Sequence, residues 1–170
     1  MPGTTSGRLV AAGLELFGAH GFSAVAVTTI AERAGVTTGS LYHHFGSKAG
    51  LYQLVRGDVE QRVLDRFEGA AAERSVRGPA DLAPILLVGF DYLVRSGYPR
   101  LLGETPPQDR DEVDRTDAIE ERIARLVNDD HAPLAALVAA AWRAALWHAS
   151  AGPDPAQDAR AALVRLLTTT

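Results

Sequence analysis

Residues 27–48 read VTTIAERAGVTTGSLYHHFGSK, and this stretch decides the fold. Ile30 and Ala34 lie four apart and so share one face of a helix. Ala31 is small, which lets a second helix cross closely over the first. Gly35 follows where the chain must turn, and glycine enters the positive-φ region without steric cost. Val36 and Leu41 then supply the apolar contacts that fasten the second helix to the first. A small residue, a glycine and two hydrophobes at these offsets describe a helix-turn-helix, the unit that lays its second helix in the major groove of DNA. Two ordinary core helices are the bland alternative.

Working outward, Ser6 can cap a first helix running to about residue 20, with Leu9, Leu14 and Phe17 on its buried side and Gly21 ending it. The second helix covers 27–34, and the third runs from Thr37 or Thr38 to His44. Gly46-Ser47 breaks the pattern, and Ser47 is a good cap for a fourth helix. Its apolar residues Leu51, Val55, Val59, Val63 and Phe67 are each four apart, which carries it to about residue 71. This helix belongs to both halves of the chain and is the natural lever between them. Asp81 can cap a hydrophobic helix that ends near Gly97, and 98–103 can form one short turn. Pro106-Pro107 marks a loop over 104–109, suited to gate a ligand site. An amphipathic charged segment covers 113–127. Pro133 opens an alanine-rich helix to about residue 150, and Asp154-Pro155 starts a last one ending at Leu167. Almost nothing reads as a strand. The expectation is an all-α chain, with a helix-turn-helix domain at 1–46 and a helical ligand-binding and dimerisation domain at 47–170.

A chain of 170 residues has room for such a reader plus a moderate helical domain. It has no cysteine, which excludes disulfides and thiolate chemistry and agrees with a reducing cytoplasm. No apolar stretch is long enough to span a bilayer, so a cytoplasmic protein with no membrane partner is expected. An enzyme is not expected, for want of a GxSxG, a phosphate loop or a nucleophile with its base. No cofactor is implied, and His20, His131 and His148 lack metal-ligand spacing. The net charge is −4. Residues 1–50 carry Arg8, Arg33 and Lys48 against Glu15 and Glu32, a net of +1, and much of the acidic excess lies between Asp109 and Asp130. Phosphate neutralisation supplies much of DNA affinity, so this reader is electrostatically lean.

Phe17, Gly21, Phe22, Ile30-Ala31, Ala34-Gly35-Val36, the run Gly39-Ser40-Leu41-Tyr42-His43-His44-Phe45, and Lys48 together resemble the N-terminal domain of the TetR family of one-component regulators. The resemblance covers about the first third of the chain. It implies a homodimer with two recognition helices for a palindromic double-stranded DNA operator, and a divergent C-terminal domain that binds a small-molecule inducer. The function then expected is a repressor released by that inducer. The alternative is a dimeric small-molecule-binding protein with weak or lost DNA affinity.

On a helix-turn-helix the start of the second helix faces base edges, which here means Thr37, Thr38, Gly39, Ser40 and His43. Their hydroxyls and methyls discriminate moderately, and His43 is the largest side chain among them. The resemblance assigns Tyr42, His44 and Lys48 to the DNA backbone. Leu41 and Phe45 read as core. The family has capping threonines before the second helix, often followed by a basic residue, where this chain has Val25, Ala26, Val27 and Thr28. Either Thr28 and Thr29 take over that task, or phosphate anchoring on this side is weak. Thr38 stands where the family often has a cation. For a ligand, aromatic and polar residues share helices at Phe90, Arg95, Tyr98, Trp142 and Arg143, as an apolar pocket with few polar anchors needs. On the sequence alone Phe90 and Trp142 read more readily as plain core than as ligand contacts. For dimerisation the last two helices offer Ala135, Ala136, Ala139, Ala140, Ala159, Ala162, Leu163, Leu166 and Leu167, unless these pack within one subunit.

Overall fold

The computed structural model describes residues 3–72, 74–105, 117–127 and 132–168. These form helices α1 (Thr5–His20), α2 (Val27–Ala34), α3 (Thr38–Phe45), α4 (Lys48–Ala72), α5 (Pro79–Ser96), α6 (Pro99–Gly103), α7 (Ala118–Val127), α8 (Ala132–Ala149) and α9 (Pro153–Thr168), with no strand among the described residues. The chain is all-α, as the patterning implies. The Pro106-Pro107 loop, the start of the amphipathic segment at 113–116 and His131 lie outside the described residues.

Local chemistry sets the helix ends. Gly35 takes φ +64°, ψ +42° and sends its N–H back to Ala31 and Glu32, the left-handed stop that lets α3 cross α2. Thr37 caps α3 and Ser47 caps α4, each hydroxyl accepting a backbone N–H three residues on. Two expected caps move. Thr4, not Ser6, caps α1: it is extended and its Oγ1 accepts from Gly7 N at 3.0 Å. Asp81 does not cap α5 but lies in its first turn and accepts from Arg77 N at 2.8 Å. The last helix also starts earlier, at Pro153 instead of Asp154.

α4 is the spine. Leu51, Val55, Val59, Val63 and Phe67 are at most 1% exposed, and burying each is worth about 1.5–3 kcal/mol. Its first turns pack on α1, where Gly13 lies against Leu51, and its far end packs on α5. At that crossing a Cβ on Gly89 would come within 2.5 Å of the Phe67 ring, so the α5 backbone rests directly on α4 side chains. Trp142 of α8 stands edge-on to Phe67 at 5.6 Å and donates Nε1–H to the Leu86 carbonyl at 3.0 Å. One continuous apolar core therefore runs from Leu9 to Leu167, through the expected boundary at residue 46.

Candidate nucleic-acid interface

The helix-turn-helix closes its own core with Ile30, Ala31, Ala34 and Leu41, all buried, and Phe45 is partly buried against it. That leaves α3 with an open face. Tyr42, His43 and His44 are exposed, Tyr42 by 53%. The two imidazoles stand edge to face with centroids 5.2 Å apart. Gly39 is exposed and Thr38 half-buried. Thr37 and Ser40 are less free than their hydroxyls suggest: Oγ1 and Oγ lie 3.1 Å apart, and Thr37 also accepts from Ser40 N. A base edge would have to share hydroxyls that already hold the cap. At α2 the capping position is Ala26, which is extended and has no side-chain hydrogen bond to give. Thr28 is exposed in that first turn.

The three cations of the reader have different surroundings. Arg33 grips Glu15 with Nε at 3.0 Å and Nη2 at 2.7 Å, a bidentate pair. Arg8 is exposed and donates from Nη1 to the Gly35 carbonyl at 3.3 Å. Lys48 Nζ donates to the carbonyls of Phe22 and Val25, both at 2.9 Å, and lies 4.1 Å above the Phe22 ring. The sequence carries no local sign of this, because Lys48 meets residues 26 and 23 positions away. A cleft of about 250 Å³ between α1 and α2 is lined by Arg8, Glu15 and Arg33 among others.

The five candidate ligand residues have different surroundings. Phe90 and Trp142 are sealed in the core. Arg143 is tied into a polar knot: it meets Asp117 at 2.6 and 3.0 Å, the Leu102 carbonyl at 3.1 Å and Glu60 at 3.5 Å. Burial pushes the Asp117 carboxyl up, but the Arg143 hydrogen bonds and charge, with the N–H groups of Glu120 and Ile119, outweigh it and hold the group below its ordinary value. Tyr98 packs against Gly18, and Arg95 is exposed. None of the five lines the cleft of about 340 Å³ where α1, α5, α6 and the α8–α9 turn meet, which is walled by Gly18, Val94, Gly97, Pro99, Ala149 and Pro153 among others.

The last two helices divide their residues between two jobs. Ala135, Ala139, Ala159, Leu163 and Leu167 are buried within the subunit. Leu137 (69%), Leu166 (61%) and Trp147 (48%) are exposed, together with Ala140, Ala144 and Ala162. Among the described residues no helix is long and apolar enough to cross a membrane, and no three His, Cys, Asp or Glu side chains gather as a metal site would need.

Comparison with known proteins agrees with this architecture. Residues 9–55 match the model of the bacterial regulatory proteins, tetR family. The HTH-type transcriptional regulatory protein RaaS of Mycobacterium tuberculosis is 42% identical over 98 residues, 55% of this chain and 45% of that protein. The chain thus spans less than half the length of the curated relatives it matches. A TetR-like transcriptional regulator from Rhodococcus sp. RHA1 superimposes with a TM-score of 0.66 at 18% identity, covering 96% of this chain and 93% of that one. NalD, the secondary repressor of the MexAB-OprM multidrug efflux pump in Pseudomonas aeruginosa, does so with a TM-score of 0.57 at 21% identity, covering 97% and 94%.

Proposed function

We propose that the chain is a TetR-family protein, because residues 9–55 match that family's model and the described helices have a TetR-like fold. It acts as a homodimeric repressor that occupies a palindromic DNA operator and leaves it when a small molecule binds the C-terminal helices. The observation that carries this reading is the open face of α3, where Tyr42, His43 and His44 stand exposed on a helix whose Leu41 is locked into the reader core. A rigid helix with an unburied, hydrogen-bonding face is what major-groove reading requires. His43 reads bases, and Thr28, Tyr42 and His44 hold the backbone, with Thr38 and Gly39 at the groove floor. The exposed stripe of α8 and α9 supports dimerisation, and NalD, which is similar in fold, is itself named a repressor.

Selection of duplexes from a random pool with purified protein tests this. The expected result is a two-fold symmetric sequence whose half-sites are about 34–36 Å apart or a multiple of it. His43→Ala should relax base preference at one position in each half-site. Compounds are then screened for release of the selected duplex.

One observation favours a second reading, a dimeric small-molecule-binding protein with little DNA affinity. Lys48 and Arg33 are engaged within the reader, which leaves its cationic face thin. Binding that stays undetectable as salt is lowered would select that reading.

A further inference from the structure

Phe22 is held on both sides of its backbone by two different parts of the molecule. Its N–H donates to Glu104 Oε1 at 3.0 Å, and its carbonyl accepts from Lys48 Nζ at 2.9 Å. Lys48 opens α4, and Glu104 caps the end of α6. The Phe22 ring has the ammonium 4.1 Å and the Tyr52 ring 5.1 Å from its centroid. Glu104 Oε1 also accepts the Tyr52 hydroxyl at 2.7 Å. Arg56, itself buried, donates to the carbonyls of Leu101 and Glu104 and so ties the end of α6 to α4. The turn is shaped for this carboxylate: Gly21 sits at φ +79°, and a Cβ there would come within 2.5 Å of Glu104 Oε2.

We propose that Glu104 is a positioning residue whose carboxylate fixes the α1–α2 turn, so that the C-terminal helices set the seating of the reader on α4 through Phe22. Hydrogen bonds to a carboxylate are shorter and stronger than neutral ones, and partial burial strengthens them further. Two donors from different elements, Phe22 N–H and Tyr52 O–H, converge on one oxygen. A displacement of the α6 end by a fraction of a hydrogen-bond length therefore frees both together. The freed segment leads directly into α2, and its remaining side-chain hydrogen bonds are those of Lys48 to the Phe22 and Val25 carbonyls. What this does to DNA rests on reading α3 as a DNA reader, whereas the joint itself does not.

The test compares the full-length chain with Glu104→Ala, Glu104→Gln and, as a charge-matched control, Asp91→Asn, whose carboxylate pairs with Arg160 far along the chain. Amide hydrogen exchange is read residue by residue. The expected result is exchange faster by at least about tenfold at residues 22–26 in Glu104→Ala, less in Glu104→Gln, and unchanged in Asp91→Asn, with α5 and α8 protected as before. Affinity for a mixed-sequence duplex should fall about fivefold in Glu104→Ala. Unchanged exchange at 22–26 would overturn the proposal, as would an equal rise in every helix of both Glu104 variants, because the carboxylate would then support the fold at large. If the unsubstituted chain binds no duplex, the exchange pattern still judges the joint, and the regulator reading fails alone.

Discussion

Lys48 shows how much a single residue's role depends on what folds back onto it. As a cation at the start of a helix it suits a phosphate, yet its three N–H bonds have two carbonyl acceptors already and a ring beneath. Lys48→Met keeps the stem and removes the charge. It should lower stability by about 1–3 kcal/mol, the usual worth of charged hydrogen bonds, measured by urea unfolding. It should also weaken duplex binding while leaving the slope of log K against log salt nearly unchanged. Arg8→Ala should do the opposite, lowering that slope by about one with stability intact. A Lys48→Met protein of full stability with a reduced slope would return the phosphate contact to Lys48. The exposure of Tyr42 and His43 was legible in the sequence, because the helix-turn-helix offsets fix which side of α3 faces inward. The roles of Lys48 and Glu104 were not, since their partners lie 26 and 82 positions away and no local pattern announces them.

At the scale of the element, the caps decide. Ala26 already has φ −87° and ψ +150°, the backbone of a capping residue, but no side-chain acceptor. Ala26→Thr should therefore stabilise the chain by about 1 kcal/mol, seen as a raised unfolding midpoint. A neutral or destabilising result would mean that the Ala26 site cannot hold a hydroxyl. α7 depends on Asp117 in a different way. Asp117 accepts the N–H groups of Ile119 and Glu120 at one end of the helix while pairing with Arg143 of α8. Its carboxyl is held below the value of about 3.9 usual for an unfolded chain, so it adds stability above that pH and loses it as pH falls through the lowered value. Acid unfolding of Asp117→Asn should be flatter below about pH 4 than that of the natural sequence. An unchanged acid limb would move that sensitivity to another carboxylate. Glycine and proline punctuation made most helix bounds readable in advance. Thr4 displaced Ser6 because both can cap the same turn, and only the extended backbone at Thr4 chooses between them.

For the whole molecule, the apolar residues of α8 and α9 looked alike in the sequence and differ in the structure. Ala139 and Leu163 serve the subunit's own core, while Leu137 and Leu166 face out. Periodicity marks a wide apolar helix but not which edge a neighbour in the same chain will cover. Leu163→Asp should therefore unfold the protein, since it buries an unpaired charge. Leu137→Glu and Leu166→Asp should leave a folded monomer in sedimentation. A dimer that survives both would put association on another face. The same logic applies to the ligand residues: aromatics at Phe90 and Trp142 suit a pocket but read more readily as core in sequence, and both are buried in the apolar core.

Gly103 carries a consequence for mechanics. A Cβ at that position would come within 2.5 Å of the Trp147 backbone nitrogen and 2.8 Å of its Cα, so α6 rests on α8 main chain to main chain. Side chains between helices act as bearings, rolling between rotamers as their helices slide. At Gly103 there is no bearing, and there the two helices move as one part. That part has Glu104 at one edge and the exposed Trp147 at the other. Whatever presses on the outer surface of α8 is therefore transmitted to the Phe22 joint without slack. Inserting a bearing, even the single methyl of alanine at position 103, would give the joint play that the present molecule does not have.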